Sequence, residues 1–369
     1  MRDVVVIGGG VIGCAVAHRL ASRGAQVTVV DPRVPGHGAS RASAGMLAPF
    51  TEGRRDPALQ RLGVMSLERY DALVGELSGE GHTISYQRRG SVDVALVEGQ
   101  LEAFLDLETA LAEEGTPYQH LDARALRELE PAVTPEALGG FFIRAHGAVD
   151  VPQLVRALLA AASARGATLH HAAVRRVRPA PQGLDVETTA GTLSARHVVL
   201  AAGCWSGGVG LDEAVVPVPV QPVRGQLLVL QAEAPSIAHT VWGPDCYLVP
   251  WADGTVMVGA TVEHVGFDER STADGVRGLL SAATSMVPAL AHAAFAEVRV
   301  GLRPGTRDDR PIVGSSAMLE GLIYATGHYR NGALLAPLTG DVVADLVGGR
   351  ALDEAWTPCS PARFESAIT

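Results

Sequence analysis

The stretch VVVIGGGVIG at positions 4–13 decides the fold of this 369-residue chain. Its β-branched start predicts a strand that is buried on both faces, and Gly8, Gly10 and Gly13 have the G-x-G-x-x-G spacing. The first glycine permits a tight turn, the second lets the backbone approach a pyrophosphate, and the third lets the next helix pack closely on the strand. The pattern therefore predicts a strand–turn–helix unit that binds a dinucleotide at the helix N-terminus.

A second strand and two later segments extend this nucleotide site. Residues 26–30 read as a strand that ends at Asp31, where a carboxylate can accept hydrogen bonds from ribose hydroxyls. A loop rich in Gly, Ala and Ser follows at 36–49, and a distant strand ends in the small residues 201–203. Both features favour FAD over NAD. Two alternatives stay open, namely a glycine turn without a ligand and an NAD-dependent dehydrogenase.

The composition excludes several classes of function. The net charge is −10, whereas a nucleic-acid binder needs a basic face, so we expect no nucleic-acid partner. All 30 basic residues are arginine, because the sequence contains no lysine. A Schiff-base lysine for pyridoxal phosphate and the lysine of a phosphate-binding loop are therefore both ruled out.

The cysteines indicate neither a disulfide framework nor a metal site. Cys14, Cys204, Cys246 and Cys359 form no C-x-x-C pair, which fits a reducing compartment. The longest apolar run, 4–17, is broken by glycines and is shorter than the ~20 residues that span a bilayer. The first residues lead straight into a strand-like segment rather than a signal peptide. We expect a cytoplasmic protein with no metal and no membrane partner.

The rest of the sequence predicts alternating helices and strands, which is typical of an α/β fold. Helices are expected at about 60–78, 100–115, 151–166 and 274–286, with a last helix that starts near Pro337. Strands are expected at about 85–97, 197–201, 223–230, 246–250, 255–259 and 322–325, and several short strands are expected between about 169 and 187.

Three further motifs carry a resemblance to a known family. They are ASRASAGMLAP at 39–49, GLRP at 301–304 and GHYRNGALLAP at 327–337. Together with the N-terminal glycines, they closely resemble the D-amino acid oxidase superfamily of FAD-dependent enzymes, and within it the glycine oxidases of bacterial thiamine biosynthesis. The resemblance runs from the first strand to the last helix, and the first and third motifs are its most specific parts.

The resemblance implies a mixed α/β protein of two intertwined domains. A Rossmann-like FAD-binding domain of the glutathione-reductase type would combine residues 1–80, 146–206 and 301–369. A second, mostly antiparallel β domain would combine 81–145 and 207–300, roof the flavin and carry substrate contacts. The flavin would be non-covalent, because the covalent branch of the family uses a cysteine near its Arg-Pro motif and none lies there. The resembling oxidases are often homotetramers.

Three residues are the candidates for substrate chemistry. An α-carboxylate is best held by the planar fork of an arginine, and Arg303 lies where the resembling oxidases place their carboxylate clamp. Tyr247 matches the active-site tyrosine of the family, and Arg330 is expected near the flavin or the substrate. The alternative for Arg303 is a surface ion pair with Asp308 or Asp309. The alternatives for the other two are a half-buried strand tyrosine and a loop arginine that binds backbone carbonyls.

The residues expected to line FAD come from every motif. Gly45 and Met46 should face the isoalloxazine ring, and residues 332–334 should open the last helix, whose dipole would stabilise the reduced flavin. We expect His328 to line the flavin or support its loop rather than act as a catalytic base. The full set is Gly8, Gly10, Val11, Ile12, Gly13, Asp31, Ser40, Ala44, Gly45, Met46, Val174, Ala202, Gly203, Trp205, His328, Tyr329, Arg330, Asn331, Gly332, Ala333 and Leu334.

The resemblance implies oxidative deamination of glycine by O2, through an imine, to glyoxylate, ammonia and hydrogen peroxide. It also implies that this reaction supplies thiazole synthesis. The alternatives are a D-amino acid, sarcosine or proline oxidase or dehydrogenase, and a binding protein that keeps FAD for structure only. Two positions beside the expected pocket depart from the family. Arg299-Val300 stands where a tryptophan is expected before the GLRP motif, and Trp251 stands where arginine is more usual.

Overall fold

A computed structural model of the protein describes residues 2–52, 56–113, 115–211, 218–233 and 237–365. Within them the chain forms ten α-helices and nineteen strands. The helices are α1 (Val11–Ser22), α2 (Pro49–Glu52), α3 (Pro57–Leu67), α4 (Tyr70–Gly79), α5 (Glu98–Glu113), α6 (Ala123–Leu129), α7 (Val151–Ala164), α8 (Ala273–Met286), α9 (Gly332–Val347) and α10 (Ala362–Glu365). The strands are β1 (Arg2–Ile7), β2 (Val27–Val30), β3 (Met46–Leu47), β4 (Tyr86–Gln87), β5 (Ser91–Ala95), β6 (Tyr118–Asp122), β7 (Gly139–Ile143), β8 (Gly147–Val149), β9 (Thr168–His170), β10 (Val174–Ala180), β11 (Gly183–Thr188), β12 (Gly191–Leu200), β13 (Gln221–Gln231), β14 (Thr240–Trp242), β15 (Tyr247–Pro250), β16 (Thr255–Gly259), β17 (Ala294–Gly305), β18 (Ile312–Ser315) and β19 (Leu322–Thr326).

The first sheet carries the glycine motif at the end of its central strand. Its order is β10-β11-β12-β1-β2-β9, with β19 beside β12 and β18 beside β19. Strand β1 is parallel to both β2 and β12, and helices cover one face through the mutual packing of α1, α7 and α9. Val4 and Val6 pack into that helical core, whereas Val5 and Ile7 face a second core on the other side. Burial on both faces explains why the strand is a continuous apolar run.

The second sheet has the order β17-β13-β16-β15-β14-β5-β7-β6 and is antiparallel except for the pair β14/β5. Its register brings Tyr247 opposite Gly259, and Arg303 opposite Val223. One face packs against α8, whose buried residues Leu279, Ala283 and Met286 join the core of this sheet. The other face is therefore available to carry site residues.

A third, small sheet has the order β3-β8-β4. Its strand β3 lies within the ASRASAGMLAP motif, so this sheet fixes the loop that contains Met46. The mixed α/β class predicted from the sequence is confirmed. The division into two domains stays a prediction, and a boundary at position 300 would cut strand β17.

Two local predictions were wrong. The strand expected at 85–97 is split, because Gly90 adopts a left-handed φ of 91° and directs β4 and β5 into different sheets. The last helix begins at Gly332, which agrees with the expectation that residues 332–334 open it and contradicts the start near Pro337, a residue inside α9. Pro337 lies beyond the first turn of α9 and has no N–H to donate to the carbonyl oxygen of Ala333, which accepts from the Tyr70 hydroxyl instead. Because this partner replaces the lost hydrogen bond, the proline is tolerated inside the helix and did not mark its start.

The structure also bears on membrane and metal sites. None of the helices in the described part of the chain is long and apolar enough to cross a membrane. In the same residues there is no group of three or more His, Cys, Asp or Glu side chains that could hold a metal ion.

Candidate active site

A cleft of about 450 Å³ is lined by residues of both large sheets. All three candidates for substrate chemistry line it, together with most of the predicted cofactor residues. The cofactor residues that line it are Gly8, Gly10, Val11, Ile12, Asp31, Ser40, Ala44, Gly45, Met46, Val174, Ala202, Gly203, Trp205, His328, Tyr329, Arg330, Gly332 and Ala333. Segments that are far apart in the sequence therefore meet at one surface.

Three predicted cofactor residues lie behind this surface instead. Gly13 packs under the turn, where an added Cβ would be 1.9 Å from the carbonyl oxygen of Gly8. Asn331 is the buried N-cap of α9, and Leu334 lies in the helical core. One helical turn points its residues in several directions, so only the first two residues of α9 reach the cleft.

The turn after β1 has the features that a dinucleotide requires. Gly8 has a φ of 109°, and an added Cβ would lie 2.4 Å from the carbonyl oxygen of Ala201. The cap residue Gly10 has no side chain to accept a hydrogen bond, and the Val11 amide donates to the Ser40 hydroxyl at 3.0 Å. The positive end of α1 thus faces the cleft, which is where the diphosphate of a dinucleotide is stabilised.

Asp31, the acid that we expect at a ribose, also lines the cleft. One carboxylate oxygen accepts from the Gly9 amide at 2.6 Å, and the other accepts from the Arg33 amide at 2.8 Å. Arg33 also lines the cleft, and its guanidinium carbon lies 4.2 Å from the ring centroid of Trp205. Sequence reasoning missed Arg33, although its position two residues after the strand-end acid was a usable signal. The turn after β1, the N-terminus of α1 and the carboxylate of Asp31 together fit a dinucleotide such as FAD.

The second helix end in the cleft belongs to α9. Its N-cap residue makes no side-chain capping hydrogen bond, and Gly332 and Ala333 line the cleft. Nearby, the His328 ring nitrogen Nε2 lies 3.0 Å from the Thr339 hydroxyl, and burial lowers the pKa of His328 to about 3. A histidine that is neutral and engaged in this way agrees with the supporting role that we expected for it.

Arg303 and Tyr247 form a pair at the substrate end of the cleft. The Arg303 guanidinium donates to the carbonyl oxygen of Thr261 at 3.0 Å, and its positive charge is close enough to the Tyr247 phenol to act on the pKa of that group. Within the described residues no carboxylate lies within 4.0 Å of Arg303, and Asp308 pairs with Arg363 instead. Arg303 thus presents an un-neutralised positive charge to the cleft.

Burial raises the pKa of the Tyr247 phenol, and the nearby charges of Arg303 and Arg330 oppose this effect. The hydroxyl therefore stays protonated at neutral pH. A protonated phenol has one proton that it can donate to an anion in the cleft. This agrees with a hydrogen-bonding role for the phenol.

Two glycines make room for this pair. An added Cβ on Gly225 would lie 2.4 Å from Nη1 of Arg303, and one on Gly259 would lie 2.2 Å from the Tyr247 hydroxyl. Sequence reasoning missed both residues, because their role depends on the strand register. Each glycine leaves a slot on the sheet that a larger residue would close.

Arg330 makes a different kind of contact. Its Nε and Nη2 donate to the two carboxylate oxygens of Glu52 at 2.7 and 3.2 Å, in place of the backbone carbonyls considered as an alternative. Glu52 ends the short helix α2 that follows the ASRASAGMLAP motif, and its side chain is 10% exposed. Sequence reasoning missed Glu52; its only signal was its place just after that motif.

A nucleotide cradle that opens onto a half-buried arginine beside a buried tyrosine defines a redox enzyme in which a dinucleotide cofactor faces a small organic anion. The family follows from comparison with known proteins. Residues 3–346 match the family model DAO, FAD dependent oxidoreductase, and the chain belongs to this family. The sequence-based predictions of an enzyme, of FAD and of this family are therefore confirmed.

The chain is similar to several characterised relatives. It is 36% identical over 349 residues to the glycine oxidase of Geobacillus kaustophilus, a match that covers 94% of this chain and 92% of that protein. It is 35% identical to the bifunctional protein ThiO/ThiG of Nostoc sp., where the match covers 94% of this chain and 52% of the other. The crystal structure of glycine oxidase from Geobacillus kaustophilus superposes with a TM-score of 0.93 at 35% identity, covering 97% of this chain and 98% of that one.

Proposed function

We propose that this protein oxidises glycine, with O2 as the electron acceptor. The observation that carries the proposal is the pairing of Arg303 with Tyr247 in the cleft that the nucleotide turn also lines. A guanidinium without a carboxylate partner binds a carboxylate, and the phenol can add a hydrogen bond to the same anion. The similarity to glycine oxidases favours glycine as the amine that carries this carboxylate.

The residues of the chain would divide the work as follows. The α1 turn and Asp31 would hold the dinucleotide, and Arg303 with Tyr247 would fix the substrate through its carboxylate. FAD held there would supply the two-electron acceptor for oxidation at the substrate carbon. Apolar neighbours such as Met46 and Leu227 exclude water from the reacting carbon.

The overall reaction balances. The amine loses two electrons and two protons to give an imine, while O2 gains both to give hydrogen peroxide. Water then hydrolyses the imine to glyoxylate and ammonia. Cys204 lines the cleft, but burial raises its pKa to about 12, so its thiol stays protonated and a non-covalent flavin is favoured.

The wider role is also part of the proposal. The match to bifunctional ThiO/ThiG proteins supports a product that serves thiazole synthesis. A D-amino acid, sarcosine or proline oxidase of the same family is the alternative. The two-domain division, the cytoplasmic location and the homotetramer expected from the sequence remain parts of this proposal.

The test is peroxide release in air by the purified yellow protein with glycine, sarcosine, D-alanine and D-proline. Glycine is expected to be used at least as well as the others, and Arg303→Ala is expected to abolish most turnover. A clear preference for another amine would favour the alternative. Bleaching of the flavin by glycine without oxygen, but no peroxide in air, would mean that the electron acceptor is not O2.

A further inference from the structure

The substrate end of the cleft contains two arginines, Arg303 and Arg330, whose charges are balanced differently. Arg330 shares two hydrogen bonds with the carboxylate of Glu52, so the pair is close to neutral. Arg303 donates only to uncharged oxygens among the described residues. All three charged side chains line the same cleft, whose substrate end therefore offers one uncompensated positive charge.

We propose that Glu52 is a specificity-determining residue that restricts the site to amines with a single carboxylate. The inference rests on the proposed function, because it concerns the amine that enters the same cleft. Glu52 occupies the guanidinium of Arg330, so that among the described residues at this end of the cleft only Arg303 is an arginine without a carboxylate partner. A substrate with a second carboxylate, such as iminodiacetate or D-aspartate, is excluded.

The position of Glu52 is fixed by the packing of its short helix. Phe50, two residues earlier in α2, is 2% exposed and belongs to the core formed with α5 and β7. Strand β3, which precedes α2, pairs with β8 through Met46 and Leu47. The backbone that leads into Glu52 is thus anchored at two points, and this holds the carboxylate at the cleft.

A second carboxylate would meet two penalties. To bind Arg330 it would have to displace Glu52, whose side chain is 10% exposed and would remain as a poorly solvated, unpaired anion. If Glu52 stayed in place, it would repel the incoming carboxylate at short range, where the reduced dielectric strengthens the repulsion. Tyr247 marks the shared space, because the charges of both arginines and of Glu52 act on its pKa.

The experiment measures the binding of inert anions to the FAD-loaded protein. Acetate, malonate and succinate are titrated into the wild type and into Glu52→Gln, and the flavin absorbance reports Kd. We expect the wild type to bind acetate more tightly than malonate or succinate. In Glu52→Gln, the Kd of the dicarboxylate that binds more tightly should fall by about tenfold or more relative to the Kd of acetate. The double variant Glu52→Gln/Arg330→Met is expected to lose this gain, because the freed guanidinium is what binds the second carboxylate.

A matched control uses an ion pair whose two residues do not line the cleft. Arg310 makes the same two-pronged contact with Asp56, at 2.6 and 3.2 Å, and neither residue lines the cleft. Asp56→Asn keeps a side-chain oxygen for the N-cap of α3 and should leave the acetate-to-malonate ratio within twofold of the wild type. A shift as large as that of Glu52→Gln would mean that any lost ion pair loosens the site.

The outcomes separate this inference from the proposed function. A wild type that binds a dicarboxylate more tightly than acetate overturns the inference, and this result needs no variant to fold. An unchanged ratio in Glu52→Gln also overturns it, even if glycine is oxidised. A shifted ratio in a protein that does not oxidise glycine supports the anion selectivity and rejects only the substrate. As a kinetic counterpart, kcat/KM for iminodiacetate relative to glycine should rise in Glu52→Gln.

Discussion

Gly225→Ala should disable substrate binding while leaving the fold and the cofactor in place. The added Cβ would lie 2.4 Å from Nη1 of Arg303 and 2.5 Å from its Cζ, whereas ordinary contact begins near 3.4 Å. The guanidinium must therefore move by about 1 Å, and a displacement of this size can lower catalysis by about 100-fold. We expect kcat/KM for glycine to fall by that factor, equivalent to ~2.7 kcal/mol.

The assay is peroxide release at varied glycine concentration, with the flavin absorbance recorded on the same sample. Gly278→Ala is the matched control, because Gly278 is exposed on α8 and an added Cβ would meet nothing within 4 Å. Both variants should keep the flavin spectrum and the cooperative unfolding of the wild type. If Gly225→Ala stays within twofold of the wild type in kcat/KM, the tight slot around Arg303 does not determine binding, and the reasoning is wrong.

Three further predictions concern the cofactor turn, the phenol and the buried histidine. Gly8→Ala should yield protein with little flavin, because the turn has a φ of 109° and lacks space for a Cβ; the ratio of absorbance at 450 and 280 nm measures this. Gly259→Ala should displace Tyr247 and raise KM for glycine by about tenfold, the effect of one lost charge-assisted hydrogen bond, as measured by peroxide release. Burial lowers the pKa of His328 in the folded state below its ordinary value, so the unfolded chain binds the proton first and stability should fall as the pH drops from about 6.5 towards 3. Denaturant unfolding should show a smaller decrease in His328→Asn; an identical pH profile in the variant would contradict this assignment.

The parts of the site that depend on local sequence were predictable. The strand, glycine turn and helix at positions 4–22 follow from spacing and burial pattern, because each feature constrains its immediate neighbours. Arg303 and Tyr247 were predicted through motifs, and the structure places both in the same cleft. The proposed roles of these residues stay predictions until the variants are measured.

Other parts depend on contacts between distant segments. Glu52 pairs with Arg330 across 278 residues, and no periodicity in either segment indicates such a contact. The break at Gly90 was missed for a related reason. A run of strand-forming residues does not reveal that its two ends belong to different sheets, because sheet membership is set by the partners β7, β8 and β14.

The two glycine slots show what information was missing. Gly259 is the direct cross-strand partner of Tyr247, and Gly225 is the diagonal neighbour of Arg303, since Val223 stands opposite Arg303. Direct and diagonal partners share one face of a sheet, so a large side chain on one strand restricts the residue beside it. Given the register, each glycine could have been inferred from the large residue it accommodates. A register shift of one residue would turn Arg303 to the opposite face of the sheet. The anion-binding charge in the cleft therefore depends on the pairing of β13 with β17 as well as on the arginine itself.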